Sequence, residues 1–241
     1  MSYIHKTVLD SINSYRTFLE QNINNLINLN INTANINLFI TGEYKLFSII
    51  FENVRMDLNY LLSLNPEYDM LAFPALKRNI RISIEAYYDL FNLVSDRSYF
   101  ELLQYQSIKG YVIDTNILNK YKSFVKRKIS NINKRPLTIS DKAQIAKCKN
   151  GLNPDLYNEF KEIATNSNSY IHPDIFITDN YNREIVLKQL ILCDCRLLMY
   201  SFELLNTFIE RRNAPYISAI NVYTEYTKLC NAIISVYWIY K

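Results

Sequence analysis

The stretch PALKRNIRISIEAYYDLFNLV, residues 74–94, contains no glycine, and its one proline stands at the first position. A proline there suits the first turn of a helix, where the N–H it lacks has no intrahelical partner in any case. Leu76, Ile80, Ile82, Ile84, Ala86, Tyr87, Leu90, Phe91, Leu93 and Val94 cover most of a helical circumference. Among its polar residues, Arg78, Arg81, Glu85, Asp89 and Asn92 are spaced three, four, four and three residues apart. That spacing puts them on one narrow line. A helix over 73–94 with neighbours on most of its sides predicts an all-α protein. Two readings of the polar line stay open. It is either a solvated face or a polar groove walled by neighbouring helices. In a groove its charges need partners, and Arg81 and Glu85 stand four apart, where each can serve the other.

The same periodicity continues outward. Ile4, Val8, Ile12, Tyr15, Leu19, Ile23 and Leu26 predict a helix over 2–29. Thr41-Gly42 breaks the chain. Leu46, Ile50, Val54, Leu58 and Leu61 then mark a helix over 43–64, ended by Asn65-Pro66. Downstream, helices are expected over 98–108, from an Asp114 or Thr115 cap to 133, and from a Ser140 cap to 150, where Gly151 suits a left-handed C-cap. Asn153-Pro154 opens a helix to 170. Asp179 or Asn180 caps a long one over 180–211, whose apolar residues occupy more than one face and place it centrally. Pro215 starts the last helix. Its Val222, Tyr226, Leu229, Ile233, Val236 and Tyr240 form a seam that fits another helix, a partner protein or a second copy in a homodimer.

With 3 glycines and 6 prolines in 241 residues, the chain has few of the turns a sheet or barrel needs. The expected architecture is one domain over 1–241, an irregular multi-helix bundle around the long helix near 180–211. Net charge is +4, mildly basic, and does not by itself imply nucleic acid. Cys148, Cys193, Cys195 and Cys230 lack zinc-ligand spacing and read as reduced, small apolar residues of a cytoplasmic protein. The most apolar stretch, 190–209, is interrupted by Asp194, Arg196 and Glu203, and the first ten residues hold no apolar leader, so no membrane association is expected. No phosphate loop, dinucleotide fingerprint, paired-histidine zinc motif or nucleophile elbow is present, and neither metal nor cofactor is expected.

Two further features bear on chemistry. His172 is one of only 2 histidines and closes a helix just before Pro173. A neutral imidazole there can act as general base, or can make a structural hydrogen bond to the Arg81/Glu85 line. The other feature is basic: Lys120, Lys122, Lys126, Arg127, Lys128, Lys134 and Arg135 occur with no acid between Thr115 and Ser140. Clustered cations bind phosphate, and exposed rings stack on bases. The interleaved Tyr121 and Phe124, however, share a helical side with Val125 and Ile129, which reads as core.

The combination of Arg81-x-x-x-Glu85 on one helix with Tyr170-Ile171-His172-Pro173 at the end of a later one resembles a group of bacterial helical proteins similar to HEPN-type domains of abortive-infection and toxin systems. The likeness spans Phe73 to Asp174. It implies an RNA- or nucleotide-directed role in bacterial defence, with His172, Arg81 and Glu85 as candidate catalytic residues and the 120–135 cations as the RNA contact. Active HEPN ribonucleases carry an arginine four to six residues before the histidine, and Asn166 to Ile171 contain none. Two functions therefore stand side by side. One is a non-catalytic binding or regulatory protein of a defence or toxin–antitoxin system, using its last helix to bind a partner. The other is a metal-independent ribonuclease with His172 as general base and Arg81 or Arg78 stabilising the phosphate. Whether the chain is an enzyme is left open.

Overall fold

A computed structural model of the chain describes residues 10, 17, 42, 45–46, 49–50, 52–54, 56–57, 72–125, 136–168, 193–194, 196–197, 200–201, 203–204, 224, 227–228 and 231. The fold is all-α, and among the described residues there is no strand. The continuous elements are α1 (Ala72–Ser95), α2 (Ser98–Ser107), α3 (Thr115–Tyr121), α4 (Ile139–Gln144), which runs directly into a π-helical turn (Ile145–Lys149), and α5 (Pro154–Asn168). Helical positions also occur early, within 45–57, and late, within 193–204. No described helix is long and apolar enough to cross a membrane.

α1 is the hub, and α2, α4, the π turn and α5 all pack against it. Its buried positions include Leu76, Ile80, Ile84, Tyr87, Tyr88, Leu90 and Leu93. Ile82 departs from the sequence reading. It stands on the same outward stripe as Ala75 and Arg78 and is 43% exposed. On the α5 side, the buried Phe160 meets Tyr87 and Tyr88 edge to face, with ring centroids 5.2 and 6.3 Å away. At the other end of α1, Leu93 joins Tyr99 and Leu102 of α2, Leu118 and Tyr121 of α3, and Ile113, Val125, Leu137 and Ile145 in one apolar cluster. Gly42 begins the early segment at φ +85°, and a Cβ there would come within 3.0 Å of the Phe100 ring. That position therefore needs glycine twice over, for its backbone and for its space.

Two boundaries differ from expectation for local reasons. α3 starts at its expected Asp114 cap, whose carboxylate accepts from the Asn116 N–H at 2.8 Å, but ends at Tyr121 rather than running to 133. The chain turns there, with Phe124 N–H bonded to Tyr121 O, and this carries Val125 into the core beside Tyr121. α4 is capped by Thr138, not Ser140. Thr138 and Asp141 form a reciprocal capping box, with Thr138 Oγ1 accepting from the Asp141 N–H and the Asp141 carboxylate from the Thr138 N–H. The end of this helix widens to π geometry, so Asn150 N–H reaches back to Ile145 O and Leu152 N–H to Ala146 O, each one residue further than an α-helical cap would reach. Gly151, at φ +76°, supplies the expected left-handed residue.

α5 opens as read: Asn153 Oδ1 accepts from Asp155 N–H at 2.8 Å, with Pro154 in the first turn. The late segment carries Cys193, Asp194, Leu197 and Ser201 fully buried, while Arg196, Tyr200, Glu203 and Leu204 are half-buried. A helix with no exposed position among these eight is a central one, as the sequence reading placed it. Its ends lie outside the described residues. In the last helix, Thr224, Thr227, Lys228 and Asn231 are exposed and share one face, and the apolar seam itself lies outside the described residues. Cys193 is buried, but Cys148 is exposed on the π turn, with its thiol donating to Gln144 Oε1 at 3.3 Å, so the apolar reading of Cys148 is corrected.

Candidate functional site

The polar line of α1 is neither wholly solvated nor wholly buried. It begins in solvent at Arg78, is half-buried at Arg81 and Glu85, and is sealed in the interior at Asp89 and Asn92. The deep end is covered by α4 and the π turn. Lys142 projects from α4 between two carboxylates of the line, 2.5 Å from Asp89 Oδ2 and 2.8 Å from Glu85 Oε1. Tyr99 of α2 donates its hydroxyl to Asp89 Oδ1 at 2.6 Å. Asn92 donates to the Lys142 carbonyl at 3.0 Å, and Asn150 donates to Asn92 Oδ1 at 2.8 Å. Glu85, which stands four residues from Arg81, is reached by Lys142 from α4.

Seven residues beyond Asp89, the same chemistry recurs. Asp96 follows the end of α1, and Lys149 stands seven residues beyond Lys142 on the π turn. The two pair through Asp96 Oδ2. Here too a tyrosine completes the set, since Tyr121 of α3 donates to Asp96 Oδ2 at 3.1 Å, and Ser98 Oγ donates to Oδ1 at 2.7 Å. The Lys149 ammonium also lies 4.8 Å from the Tyr121 ring centroid. The two tyrosines meet edge to face with centroids 5.8 Å apart, so the aspartate–lysine–tyrosine sets are joined through their rings. The same seven-residue separation on both sides matches Asp89 with Lys142 and Asp96 with Lys149.

Burial separates the two sets electrostatically. Desolvation raises the Asp89 carboxyl against the pull of Lys142 and Tyr99. The same burial works against the charge on Lys142, but the Asp89 and Glu85 carboxylates outweigh it and hold its pKa above the ordinary lysine value. Lys142 is therefore a fixed cation at neutral pH, not a proton acceptor. Asp96 is less buried. Its partial desolvation acts upward, but the Lys149 and Ser98 hydrogen bonds overcome it and bring its pKa down to about 2. A depressed carboxylate stabilises the fold above its ordinary pKa, and that stability is lost as pH falls through the folded value. The wild type is thus expected to lose melting temperature between pH 4 and pH 2. Asp96→Asn is expected to lose less over the same interval in parallel melting curves, and equal losses would count against this account of Asp96.

Of the other residues singled out in the sequence, Lys120 and Lys122 are exposed at the end of α3. Lys126, Arg127, Lys128, Lys134 and Arg135 lie outside the described residues, as does His172. Tyr121 is fully buried and Phe124 half-buried, so these rings are core rather than stacking platforms, in line with the sequence reading. Sequence reasoning passed over Lys142, Lys149, Tyr99, Asp96 and Asn150. The available signal was the matched spacing of Asp89 with Asp96 and of Lys142 with Lys149.

No family model, curated protein or solved structure matches the chain. The functional argument therefore rests on the geometry of these residues together with the motif likeness at Arg81, Glu85 and His172. Chemically, the deep end of the polar line is a closed network. The Asp89 carboxylate accepts from a lysine and a tyrosine, and Lys142 is held by two carboxylates. Such an arrangement orients helices.

Proposed function

We propose that this chain is a non-catalytic helical binding or regulatory protein, acting in a bacterial defence or toxin–antitoxin system and engaging its partner through the last helix. The observation that carries the non-catalytic part is the capture of Glu85 and Asp89 by Lys142. Both carboxylates are engaged by a buried lysine of α4, and Glu85 is one of the candidate catalytic residues. The exposed polar positions Thr224, Thr227, Lys228 and Asn231 support the partner reading, because they interleave in sequence with the apolar residues of the 222–240 seam as an amphipathic pattern requires. The defence setting follows from the HEPN-like resemblance alone.

The alternative is a metal-independent ribonuclease with His172 as general base and Arg81 stabilising phosphate. It draws support from Arg81 standing at the half-buried, outer part of the line and from the exposed Lys120 and Lys122. One experiment separates the two. Wild type and His172→Ala are incubated with total cellular RNA without added metal, and both are melted. The binding reading expects intact RNA with both proteins. Cleavage by the wild type alone, with matched melting curves, would overturn it in favour of the ribonuclease.

A further inference from the structure

The loop that joins α2 to α3 leaves apolar side chains uncovered. Val112 is 90% exposed and Ile108 51%. Lys109 and Gly110 between them are exposed as well, and Tyr111 is half-buried. The loop is held in this shape from both sides. Ile108 N–H bonds to Gln104 O at 2.8 Å, closing α2, and Tyr111 N–H bonds to Ile108 O at 3.1 Å, which makes 108–111 a hydrogen-bonded turn. Gly110 is the third residue of that turn, at φ +87°, where glycine is favoured. On the far side, Ile113 is buried in the α2–α3 cluster and Asp114 caps α3.

The chain around this loop is cationic. Between the end of α2 and the start of α4, residues 108–138 contain eight lysines and arginines and one acid, Asp114. Their net charge is +7 against +4 for the whole chain, so the positive charge is concentrated here and the rest of the protein is net acidic. Lys109, Lys120 and Lys122 are exposed. The other five cations lie outside the described residues, but the chain is fixed on each side of them. Val125 and Leu137 are buried in the same apolar cluster, and Leu137 N–H donates to Gln106 Oε1 at 3.1 Å. The cationic stretch therefore rejoins the bundle at the base of the loop, against a residue two positions before Ile108.

Clustered cations suit any polyanion, and the apolar part decides between them. Single-stranded RNA is held by rings on which its bases stack. Here Tyr121 is buried and Phe124 half-buried, while the exposed side chains of the loop are aliphatic. Aliphatic side chains beside a lysine suit a lipid surface, where they leave water for the acyl boundary and the cations stay among the headgroups. We propose that the 108–112 loop docks on the surface of an anionic lipid bilayer, with Ile108 and Val112 entering the interface and the cations of 108–138 supplying the attraction to its phosphates. The contact is peripheral and needs no spanning helix. Apolar run lengths in the sequence predicted no membrane association because they register spans and leaders, and the exposure of a five-residue loop leaves no mark on them. The proposal is independent of the partner assigned to the last helix.

The test is co-sedimentation of the full chain with vesicles of phosphatidylcholine alone and of phosphatidylcholine with about 30% phosphatidylglycerol, at about 0.05 M and about 0.5 M salt. The wild type is expected to bind the anionic vesicles at low salt, to be released at high salt, and to leave the neutral vesicles unbound. Ile108→Ser/Val112→Ser changes no charge and is expected to bind about tenfold more weakly. Both side chains are already exposed, so its melting curve should match that of the wild type. Val112→Trp is expected to show emission that shifts to the blue on anionic vesicles and is quenched by lipids brominated on their acyl chains, above the wild-type signal from Trp238. A wild type that ignores anionic vesicles at low salt, or binds neutral ones equally, would overturn the proposal. Undiminished binding by the double serine variant would do the same, because charge alone would then hold the protein. Binding of single-stranded RNA in place of the vesicles would reassign the cationic stretch to nucleic acid.

Discussion

Replacing Lys142 with methionine is expected to cost about 3–5 kcal/mol of stability, the usual range for breaking a buried ion pair by removing one partner. For a chain of this size that corresponds to a fall of about 10 °C in melting temperature. Methionine keeps much of the lysine's length and apolar stem, so the loss reports the charge rather than a cavity. What remains is Asp89, buried, with the Tyr99 hydroxyl as its recorded hydrogen-bond donor. The double variant Lys142→Met/Asp89→Asn is expected to recover most of the loss. Asparagine still accepts from Tyr99 and carries no charge to strand, and the thermodynamic cycle isolates the pair. Lys149→Met is expected to cost much less, about 1 kcal/mol, because Lys149 and Asp96 are partly solvated. If Lys142→Met melts like the wild type, the network is not a structural clasp. Glu85 and Asp89 would then return as candidate acid–base groups, and the non-catalytic reading would lose its main support.

The contrast between Lys142 and Lys149 also shows which parts of this protein are legible in a sequence. The helical nature of 73–94, its hub position and its polar line all follow from side-chain periodicity, which is local. The Gly151 and Asn153-Pro154 boundaries follow from backbone preferences, which are local too. The partner of Asp89 is 53 residues away, and nothing local distinguishes Lys142 from the other lysines. Only the common seven-residue spacing of the two aspartates and the two lysines encodes the pairing, and it becomes meaningful once α4 is known to run alongside α1. The i,i+4 spacing of Arg81 and Glu85 permits a local pair, but nothing in it announces the tertiary lysine that also reaches Glu85. The shortening of α3 had no strong local signal, because Lys122 and Phe124 are acceptable in a helix and the turn is driven by Tyr121 and Val125 entering the core.

The second large effect is expected at Phe160. Its ring is fully buried on α5 and meets Tyr87 and Tyr88 of α1 edge to face. Truncation to alanine removes both ring contacts and leaves a void in a densely packed contact, for an expected cost of about 3–5 kcal/mol. Phe160→Leu retains much of the volume and is expected to cost about half as much, the difference reflecting the aromatic geometry. Urea denaturation is the suitable measurement, with a lower midpoint and an unchanged slope indicating a loss of stability without a change in the extent of unfolding. A cost below about 1 kcal/mol for Phe160→Ala would mean that α5 is not fixed to α1 through this ring. The consequence reaches function, because α5 ends at Asn168, four residues before His172. A firmly docked α5 fixes the position of Asn168, from which the chain continues to that histidine, whether it serves as a hydrogen-bonding residue or as a base. Hence a Phe160→Leu protein, folded but loosened at this contact, should alter any property that depends on the placement of His172 more than Lys149→Met does at comparable stability.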